Sequence, residues 1–386
     1  MSRVYQSMII VMIAVSIHLY LKNITIKEEN SSIKEENYAI KEKLNDPNFN
    51  KRRAMEAFEK AENWRVSEAA RLYADVTDDD LDNASRWISY AEPFAAQRSC
   101  MAVAQDVWLG EDLMGQIKSR TEQMWQRSES VSWNESCRKA FLVQYAFHTT
   151  GIEGNTLTLT ETSLVINNQS LLAGFGDNYT SFVTPMTQQS VIEIRNIQHV
   201  ADALGLSGPS TGKESWSFTQ LGIVDINAAI TRDLGTPSGF RRHQVAIGHQ
   251  HIVLPMPDEV PALVSMYMKW INLRLRDLII SDESSLAVLI TKALALACDA
   301  HTRLVHIHPF ADGNGRLARV VSGLVLQKFQ LPLPMFVKEA REEYIRAVGA
   351  ATIDTNYGHL CRLHAEGVLR SLSIINRLFD NSCAIP

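Results

Sequence analysis

Apolar residues recur at three- and four-residue steps along most of this chain, the spacing that lines one face of an α-helix. Beyond Trp133 the pattern predicts helices at about 135–150, 188–204, 219–234, 261–273, 284–304 and 317–329. The stretch 242–254 is extended instead, because two short apolar runs flank Gly248 as in a β-hairpin. The sequence therefore predicts an all-α body with a single β-flap.

The charge balance argues against nucleic-acid binding, and the cysteine spacing argues against a disulfide framework or a zinc site. The 386 residues include 38 Lys and Arg against 43 Asp and Glu, a net charge of -5, so no overall basic field attracts nucleic acid. The five cysteines are too few and too widely spaced to indicate a disulfide framework, and none forms the C-x-x-C pair of zinc or thioredoxin-like sites. We therefore expect no nucleic-acid partner, and any bound anion must be held locally.

The N-terminus carries an apolar segment long enough to reach across a membrane. Val4 to Leu21 are 18 residues without Asp, Glu, Lys or Arg, just enough to span a hydrocarbon core of about 30 Å. No small-residue cleavage site follows Leu21, which favours a signal anchor at residues 1–22 over the two alternatives, a cleaved signal peptide and a buried N-terminal helix. Six N-x-S/T sequons would be glycosylated only in a lumenal body: Asn23, Asn30, Asn83, Asn134, Asn168 and Asn178.

Three segments of different composition lie between the apolar segment and the body. Residues 23–50 repeat the string IKEEN and are rich in Lys, Glu and Asn, a composition that cannot bury a core and is typical of a polar stalk. Residues 51–97 have alanine-rich helical spacing that resembles a tetratricopeptide pair, with a plain helical hairpin as the alternative. A linker helix is predicted within 98–132.

Residues 308–319 read HPFADGNGRLAR and lie between two apolar helical patterns. Pro309 ends the first helix, and the glycines let backbone N–H groups turn inward at the start of the next, an arrangement that binds phosphate. Arg316 and Arg319 lie three residues apart on one helical face, where their guanidinium groups can pair with phosphate oxygens. The segment therefore predicts an anion site.

Two further side chains of this segment add chemistry to the anion site. Asp312 supplies a hard oxygen ligand suited to a Mg²⁺ ion that bridges phosphates. His308, at the entrance of the loop, can act as general base for an incoming hydroxyl group. A base, a metal ligand and a phosphate site within one short segment indicate nucleotide transfer.

The same string resembles the Fic-family motif H-P-F-x-[DE]-G-N-G-R-x-x-R at every specified position. The resemblance implies an all-α Fic core over residues 133–371, a tail at 372–386, and transfer of AMP from ATP to a hydroxyl of a target protein. It implies that His308 is the catalytic base, that Asp312 holds Mg²⁺, with Mn²⁺ as an alternative, and that Arg319 binds the terminal phosphate of the co-substrate ATP. The phosphates would be cradled by Gly313, Asn314, Gly315 and Arg316.

Two more segments resemble parts of Fic proteins. Residues 149–155 begin the string TTGIEGNTLTL and resemble the inhibitory motif [ST]-x-x-x-E-[GN], which makes Glu153 the inhibitory residue. A helix cap is the alternative role for Glu153. Residues 239–248, GFRRHQVAIG, are similar to the Fic flap, which holds the target segment by main-chain pairing. The target-binding residues of this flap would be Gln244, Val245, Ala246 and Ile247.

Two positions bear on the identity of the nucleotide. Tyr344 falls where the family places an adenine-contacting aromatic residue, and Thr352 stands where the animal members of the family carry Asn. The sequence therefore does not decide whether the nucleotide donor is ATP or another nucleotide such as UTP. A non-enzymatic alternative is a membrane-tethered scaffold of helical repeats, although the intact His308 and Asp312 argue against it.

The order of these segments resembles the animal branch of the Fic family that resides in the membrane of the endoplasmic reticulum (ER), over roughly Arg53 to Ser371. That branch implies a single-pass type II membrane protein with a lumenal catalytic domain, and a homodimer. It implies a heat-shock chaperone of the BiP type as target, autoinhibition by Glu153, and removal of AMP from the modified target at the same site.

Overall fold

The computed structural model describes residues 99–167, 185–209, 217–245, 254–280 and 285–381. The chain divides into two units, Met1–Gln97 and Arg98–Pro386. The first unit lies outside the described residues, and with it the predicted signal anchor, the polar stalk and the tetratricopeptide-like helices. No helix in the described ranges has the length and apolar character needed to cross a bilayer.

The described residues fold into α-helices joined by loops, which agrees with the predicted all-α body. The α-helices are α1 Gln105–Trp108, α2 Glu111–Ser130, α3 Glu135–Ile152, α4 Leu159–Asn167, α5 Pro185–Ala203, α6 Gln220–Ile230, α7 Val260–Ile280, α8 Leu286–Ile307, α9 Asn314–Gln327, α10 Arg341–Ile353 and α11 Gly358–Asp380. Two short 3₁₀-helices lie at Cys100–Ala102 and Lys338–Ala340.

The predicted β-flap is only partly described. Residues 242–245 and Leu254, at the two ends of the predicted hairpin, are not in strands, and residues 246–253 lie outside the described residues. The described parts of the chain contain no strand. The hairpin therefore stays a prediction.

Helix α8 is the centre of the fold. From Ile290 to Leu304 its apolar and small side chains are buried, and α7, α9, α10 and α11 pack around it. A helix that is apolar on all sides is stable only when it is enclosed by other elements. Because α8 ends at Ile307, this enclosure fixes the position of the residue that follows, His308.

The predicted linker helix at 98–132 belongs to the helical body. Gly110, at φ 58°, interrupts it and separates α1 from α2. Helix α2 packs along α11, where the Arg127 guanidinium lies 2.7 Å from the Asp380 carboxylate and Asn376 Nδ2 donates to the carbonyl of Arg120. Helix α11 also continues past residue 371, where the core was predicted to end, to Asp380.

The six helices predicted beyond Trp133 are all present, with ends shifted by several residues. Helix α7 runs to Ile280 rather than ending near residue 273, and α9 begins at Asn314 rather than at residue 317. Sequence periodicity missed three helices, which are α4, α10 and α11. It missed α10 because small and polar residues such as those at 349–352 interrupt its apolar stripe.

Cysteine pairing differs from the sequence-based expectation. Cys100 and Cys361 form a disulfide across 261 residues of sequence, and Cys137 is also disulfide-bonded. Cys298, on α8, is the free and buried cysteine of the described residues, with its sulfur 3.9 Å from that of Cys361. Sequence spacing cannot reveal such a pair, because only folding brings the 3₁₀-helix at Cys100 against the first turn of α11.

We predict that Cys361→Ser lowers the free energy of unfolding by about 2–5 kcal/mol, because the disulfide limits the freedom of a long loop in the unfolded chain. Urea denaturation followed by circular dichroism measures this change. Cys298→Ala is the matched control, since it alters a cysteine of the same cluster and leaves the disulfide in place. If Cys361→Ser and dithiothreitol-treated wild type unfold at the urea concentration of the untreated protein, the disulfide contributes nothing.

Candidate active site

His308 lies at the end of α8, the position that the sequence predicts for a catalytic base. Its φ of 48° is left-handed, and its backbone N–H donates to the carbonyl of Leu304 and so closes the last helical turn. Its Nδ1 lies 3.2 Å from the carbonyl oxygen of Val305, which fits a ring that carries its proton on Nδ1. Burial lowers the pKa of His308 to about 4, so the ring is neutral near pH 7 and Nε2 can accept a proton.

The loop after His308 is held by two asparagines. Asn314 accepts from the N–H of Phe310 and donates to the carbonyl of the same residue, at 3.0 and 2.8 Å. Asn227 on α6 donates to the carbonyl of Asp312 at 3.0 Å. Gly313 has φ 81°, and a Cβ there would lie 2.9 Å from the Asn227 amide nitrogen, so the site requires glycine. The loop is therefore held by hydrogen bonds at both of its ends.

The first turn of α9 faces the same space as His308 and forms a positive helix end. Gly313 precedes α9 and has no side chain with which to cap the N–H groups of Asn314, Gly315 and Arg316. The carboxylate of Glu153 lies over this turn, because a Cβ on Gly315 would come within 2.6 Å of its Oε1. Phosphate binding by this turn stays a prediction, and a protein carboxylate lies against the turn.

Arg319 is 1% exposed and is held by polar groups on several sides. Its Nε donates to the Thr149 hydroxyl at 2.7 Å, and its Nη2 donates to the Thr149 carbonyl at 2.9 Å and to Glu153 Oε1 at 2.5 Å. Its Nη1 donates to the Tyr344 hydroxyl at 3.2 Å. Burial alone would lower the pKa of Arg319, but the charge of Glu153 raises it above its usual value.

Glu153 is the C-terminal cap residue of α3 through its backbone, and its side chain makes a separate contact. A carboxylate at a helix C-terminus is opposed by the negative end of the helix dipole. Its backbone N–H donates to the Thr150 carbonyl, whereas its half-exposed side chain turns to Arg319 and Gly315. The contact with Arg319 therefore accounts for the position of Glu153 better than capping does.

Asp312 and Arg316 form a pair beside the cradle. Asp312 is about half exposed and accepts from Arg316 Nη2 at 2.9 Å. The Arg316 side chain is 3% exposed, and its Nε and Nη1 make no hydrogen bond within the described parts of the chain. Buried donors without partners are costly unless an acceptor completes them, and phosphate oxygens fit a guanidinium fork. The exposed Asp312 carboxylate offers the hard oxygen that Mg²⁺ prefers.

Arg241, at the base of the predicted flap, was not identified from the sequence. It is 4% exposed, and its Nε donates to the His308 carbonyl at 2.7 Å while its backbone N–H donates to the Pro309 carbonyl at 2.9 Å. Its Nη1 also donates to Gln244 Oε1, and Gln244 Nε2 in turn donates to the Leu254 carbonyl. Arg241 therefore connects the flap region directly to the loop that carries the base.

The remaining flap residues are only partly described. Val245 is half-buried, whereas Ala246 and Ile247 lie outside the described residues. Main-chain binding of a target by Gln244, Val245, Ala246 and Ile247 stays a prediction.

Tyr344 lies on α10 behind Arg319. Its ring is 6% exposed, and its hydroxyl lies 2.7 Å from His301 Nε2 as well as against Arg319. Contact of this ring with adenine stays a prediction. Thr352 is buried, and its hydroxyl donates to the Val348 carbonyl.

Four residues that complete the site were missed by sequence reasoning: Thr149, Asn227, Arg241 and His301. Thr149 lies within the segment that resembles the inhibitory motif, but the sequence predicted no contact for its side chain. The others act through contacts between distant helices, which local spacing does not reveal.

Part of this chain is similar to known proteins. Residues 217–326 match the Fic/DOC family. The chain is similar to a protein adenylyltransferase Fic from Drosophila ananassae, 26% identical over 258 residues, which is 66% of this chain and 46% of the relative. It is also similar to a protein of the same name from Aedes aegypti, 26% identical over 208 residues, which is 53% of this chain and 36% of the relative. The chain thus spans less than half the length of these two relatives.

Two solved structures share the fold. A Fic domain containing signaling protein from Bacteroides thetaiotaomicron superposes with a TM-score of 0.53 at 18% identity, over 70% of this chain and 97% of the other. A fragment of Fic-1 from C. elegans superposes with a TM-score of 0.50 at 18% identity, over 85% and 87%. At this identity the likeness concerns the fold alone. The segment that matches the Fic/DOC family, residues 217–326, holds His308, its loop and both arginines.

Proposed function

We propose that this chain transfers AMP from ATP to a hydroxyl group of a target protein, and that Glu153 inhibits the transfer. The observation that carries the proposal is the contact of Glu153 with both Arg319 and the first turn of α9. A carboxylate in that position competes with a phosphate for the same donors. The matched relatives named protein adenylyltransferase support the reaction class.

The transfer follows from the arrangement of the base and the anion site. His308, neutral because of its burial, takes the proton of the target hydroxyl through Nε2 as the hydroxyl oxygen attacks the α-phosphorus of ATP. The new P–O bond forms as the bond to the β-phosphate oxygen breaks, and pyrophosphate leaves with that electron pair. The first turn of α9 and Arg316 stabilise the negative charge on the phosphate oxygens.

A divalent cation is part of this proposal. Asp312 would hold Mg²⁺, or Mn²⁺ as the alternative, since its carboxylate is exposed at the edge of the cradle. The metal would neutralise charge on the phosphates and favour departure of pyrophosphate. Arg316, which pairs with Asp312, would keep the carboxylate oriented toward the phosphates.

Inhibition follows from competition for Arg319. The terminal phosphate of ATP needs the guanidinium of Arg319 if the α-phosphate is to line up with His308. In the described conformation Nη2 of Arg319 is bound to Glu153. ATP bound beside this pair lacks its partner for the terminal phosphate, and the reacting groups are misaligned.

We propose that the same site removes AMP from the modified target. Glu153 lies next to the phosphate cradle, where its carboxylate can orient a water molecule toward the phosphorus of the AMP–protein bond. The carboxylate would therefore oppose the forward reaction and assist the reverse reaction.

The cellular location in our proposal rests on a disulfide, a sequon and the family resemblance. Disulfides such as Cys100–Cys361 form and persist in oxidising compartments, which supports a lumenal body anchored by the N-terminal segment in the ER membrane. Asn134, one of the predicted sequons, is exposed at the start of α3. By family resemblance the target is an ER heat-shock chaperone of the BiP type, and the protein is a homodimer.

We predict that His308→Ala lowers AMP transfer by about 10²–10⁴-fold, because the target hydroxyl loses its proton acceptor. Transfer of radiolabelled AMP from ATP to a target protein or to the enzyme itself measures the rate. His359→Ala is the matched control, since this half-exposed histidine lies on the surface and pairs with Glu343. A folded His308→Ala protein that keeps more than a few per cent of the wild-type rate would contradict the assignment.

We predict that Glu153→Gly accelerates AMP transfer and self-modification by about tenfold or more, the size expected when one charge-assisted hydrogen bond stops competing for Arg319. The same variant should lose hydrolysis of the AMP-modified target, which is measured on the same preparation by release of AMP. Glu342→Gln, at an exposed carboxylate of α10, is the control.

The two readouts of Glu153→Gly separate the roles of the carboxylate. Unchanged or slower transfer would reject inhibition by Glu153. Faster transfer with intact hydrolysis would reject only its role in orienting water. Running the assay with UTP in place of ATP tests the alternative nucleotide donor. If neither nucleotide labels the protein, the non-enzymatic scaffold is favoured.

A further inference from the structure

A second set of buried polar side chains is linked to Arg319 through the Tyr344 hydroxyl. Tyr344 on α10, His301 on α8 and His364 on α11 are all at most 6% exposed. The rings of His301 and His364 are 5.1 Å apart, and Tyr344 lies between His301 and Arg319. Neither histidine has a role in the proposed transfer, although both are fully enclosed near its phosphate site.

The hydrogen bonds in this set have a defined direction. The guanidinium of Arg319 can only donate, so the Tyr344 oxygen accepts at 3.2 Å. The single proton of Tyr344 must then go elsewhere, and His301 Nε2 lies 2.7 Å from the hydroxyl. Burial raises the pKa of Tyr344, which keeps this proton on the hydroxyl. The arrangement that gives the Tyr344 proton an acceptor is therefore Arg319 to Tyr344 and Tyr344 to His301, with the His301 proton on Nδ1, which has no hydrogen-bond partner among the described residues.

This direction requires a neutral His301 with a free lone pair on Nε2. Burial lowers the pKa of His301 well below its usual value, and the neighbouring His364 and Arg319 lower it further. Burial also lowers the pKa of His364 to about 4. A neutral His301 accepts from Tyr344 and leaves the tyrosine oxygen turned toward Arg319, whereas a residue that cannot accept would leave the Tyr344 proton free to point at the guanidinium.

We propose that His301 is a positioning residue for Arg319: by accepting the Tyr344 proton it orients the tyrosine oxygen to hold the guanidinium in place for the terminal phosphate of the nucleotide. The inference rests on the proposed function. The orienting effect of His301 matters most when Glu153 no longer contacts Arg319, because Arg319 Nη2 then loses one of its two partners. Thr149 and Tyr344 are the remaining supports, and phosphate binding depends on a guanidinium that is already oriented.

The test uses the full chain carrying Glu153→Gly, in which Arg319 is open to ATP. Two further substitutions at His301 form a matched pair: Gln, whose amide oxygen can accept from Tyr344, and Met, which has similar length and no comparable acceptor. Tyr344→Phe removes the hydroxyl and keeps the ring, so any contact of that ring with adenine is retained. The affinity for ATP by titration calorimetry and kcat/KM for ATP are measured for each variant, and thermal denaturation confirms that each is folded.

In the Glu153→Gly background, His301→Met should weaken ATP binding and lower kcat/KM by about 5–50-fold, the range expected for losing orientation of one hydrogen bond to a charged group. His301→Gln should recover most of this loss. In the presence of Tyr344→Phe, His301→Met should have little further effect, because the hydroxyl through which it acts is gone.

Equal losses in His301→Met and His301→Gln would overturn the proposal, and so would a His301→Met loss that persists in full beside Tyr344→Phe. If His301→Met does not fold, Tyr344→Phe decides alone, since full ATP affinity in that variant would exclude a relay through its hydroxyl. A Glu153→Gly protein that neither binds ATP nor transfers AMP would overturn the proposed function together with this inference. ATP binding and transfer without coupling between His301 and Tyr344 would overturn this inference only.

Discussion

The positive charge of Arg319, buried to 1% exposure, is the constraint around which the site is organised. A buried guanidinium without an anion is strongly destabilising, because its lost hydration must be replaced. Glu153 supplies that anion in the described conformation, and the terminal phosphate of ATP would supply it in the productive complex. Since one guanidinium fork cannot serve both fully, protein stability and catalysis compete for the same group. In our proposal, inhibition by Glu153 is a consequence of how the fold stabilises its own buried charge.

The rest of the structure positions His308 and Glu153 around this charge. Helix α8, enclosed by its neighbours, delivers His308, and Asn314 closes the loop that follows. Arg241 connects that loop to the flap region, so the loop and the described part of the flap share one support. Glu153 comes from a different helix, α3, and its contact with Arg319 is made by a half-exposed side chain. Glu153 is thus the exposed partner of a pair in which Arg319 is almost fully buried.

Sequence reasoning predicted the parts of this account that depend on short spacing. Residues 308–319 predict the base, the cradle and both arginines because these lie on one loop and the following helical turn. Glu153 was predicted as the inhibitory residue from the family resemblance and not from spacing. The Cys100–Cys361 disulfide and the contacts of Arg241 join residues far apart in sequence, so no local pattern indicates them. Helix α10 was missed because its apolar stripe is interrupted, although it carries Tyr344.

The central claim is that Glu153 withholds Arg319 from the terminal phosphate, and the affinities for ATP and ADP test it most directly. Titration calorimetry would give both dissociation constants for the wild type, Glu153→Gly and Glu153→Gly with Arg319→Ala. Our account predicts similar affinities for ATP and ADP in the wild type, a preference for ATP of about tenfold in Glu153→Gly, and loss of that preference when Arg319 is also removed. The same ratio of ATP to ADP affinity in all three proteins would contradict it.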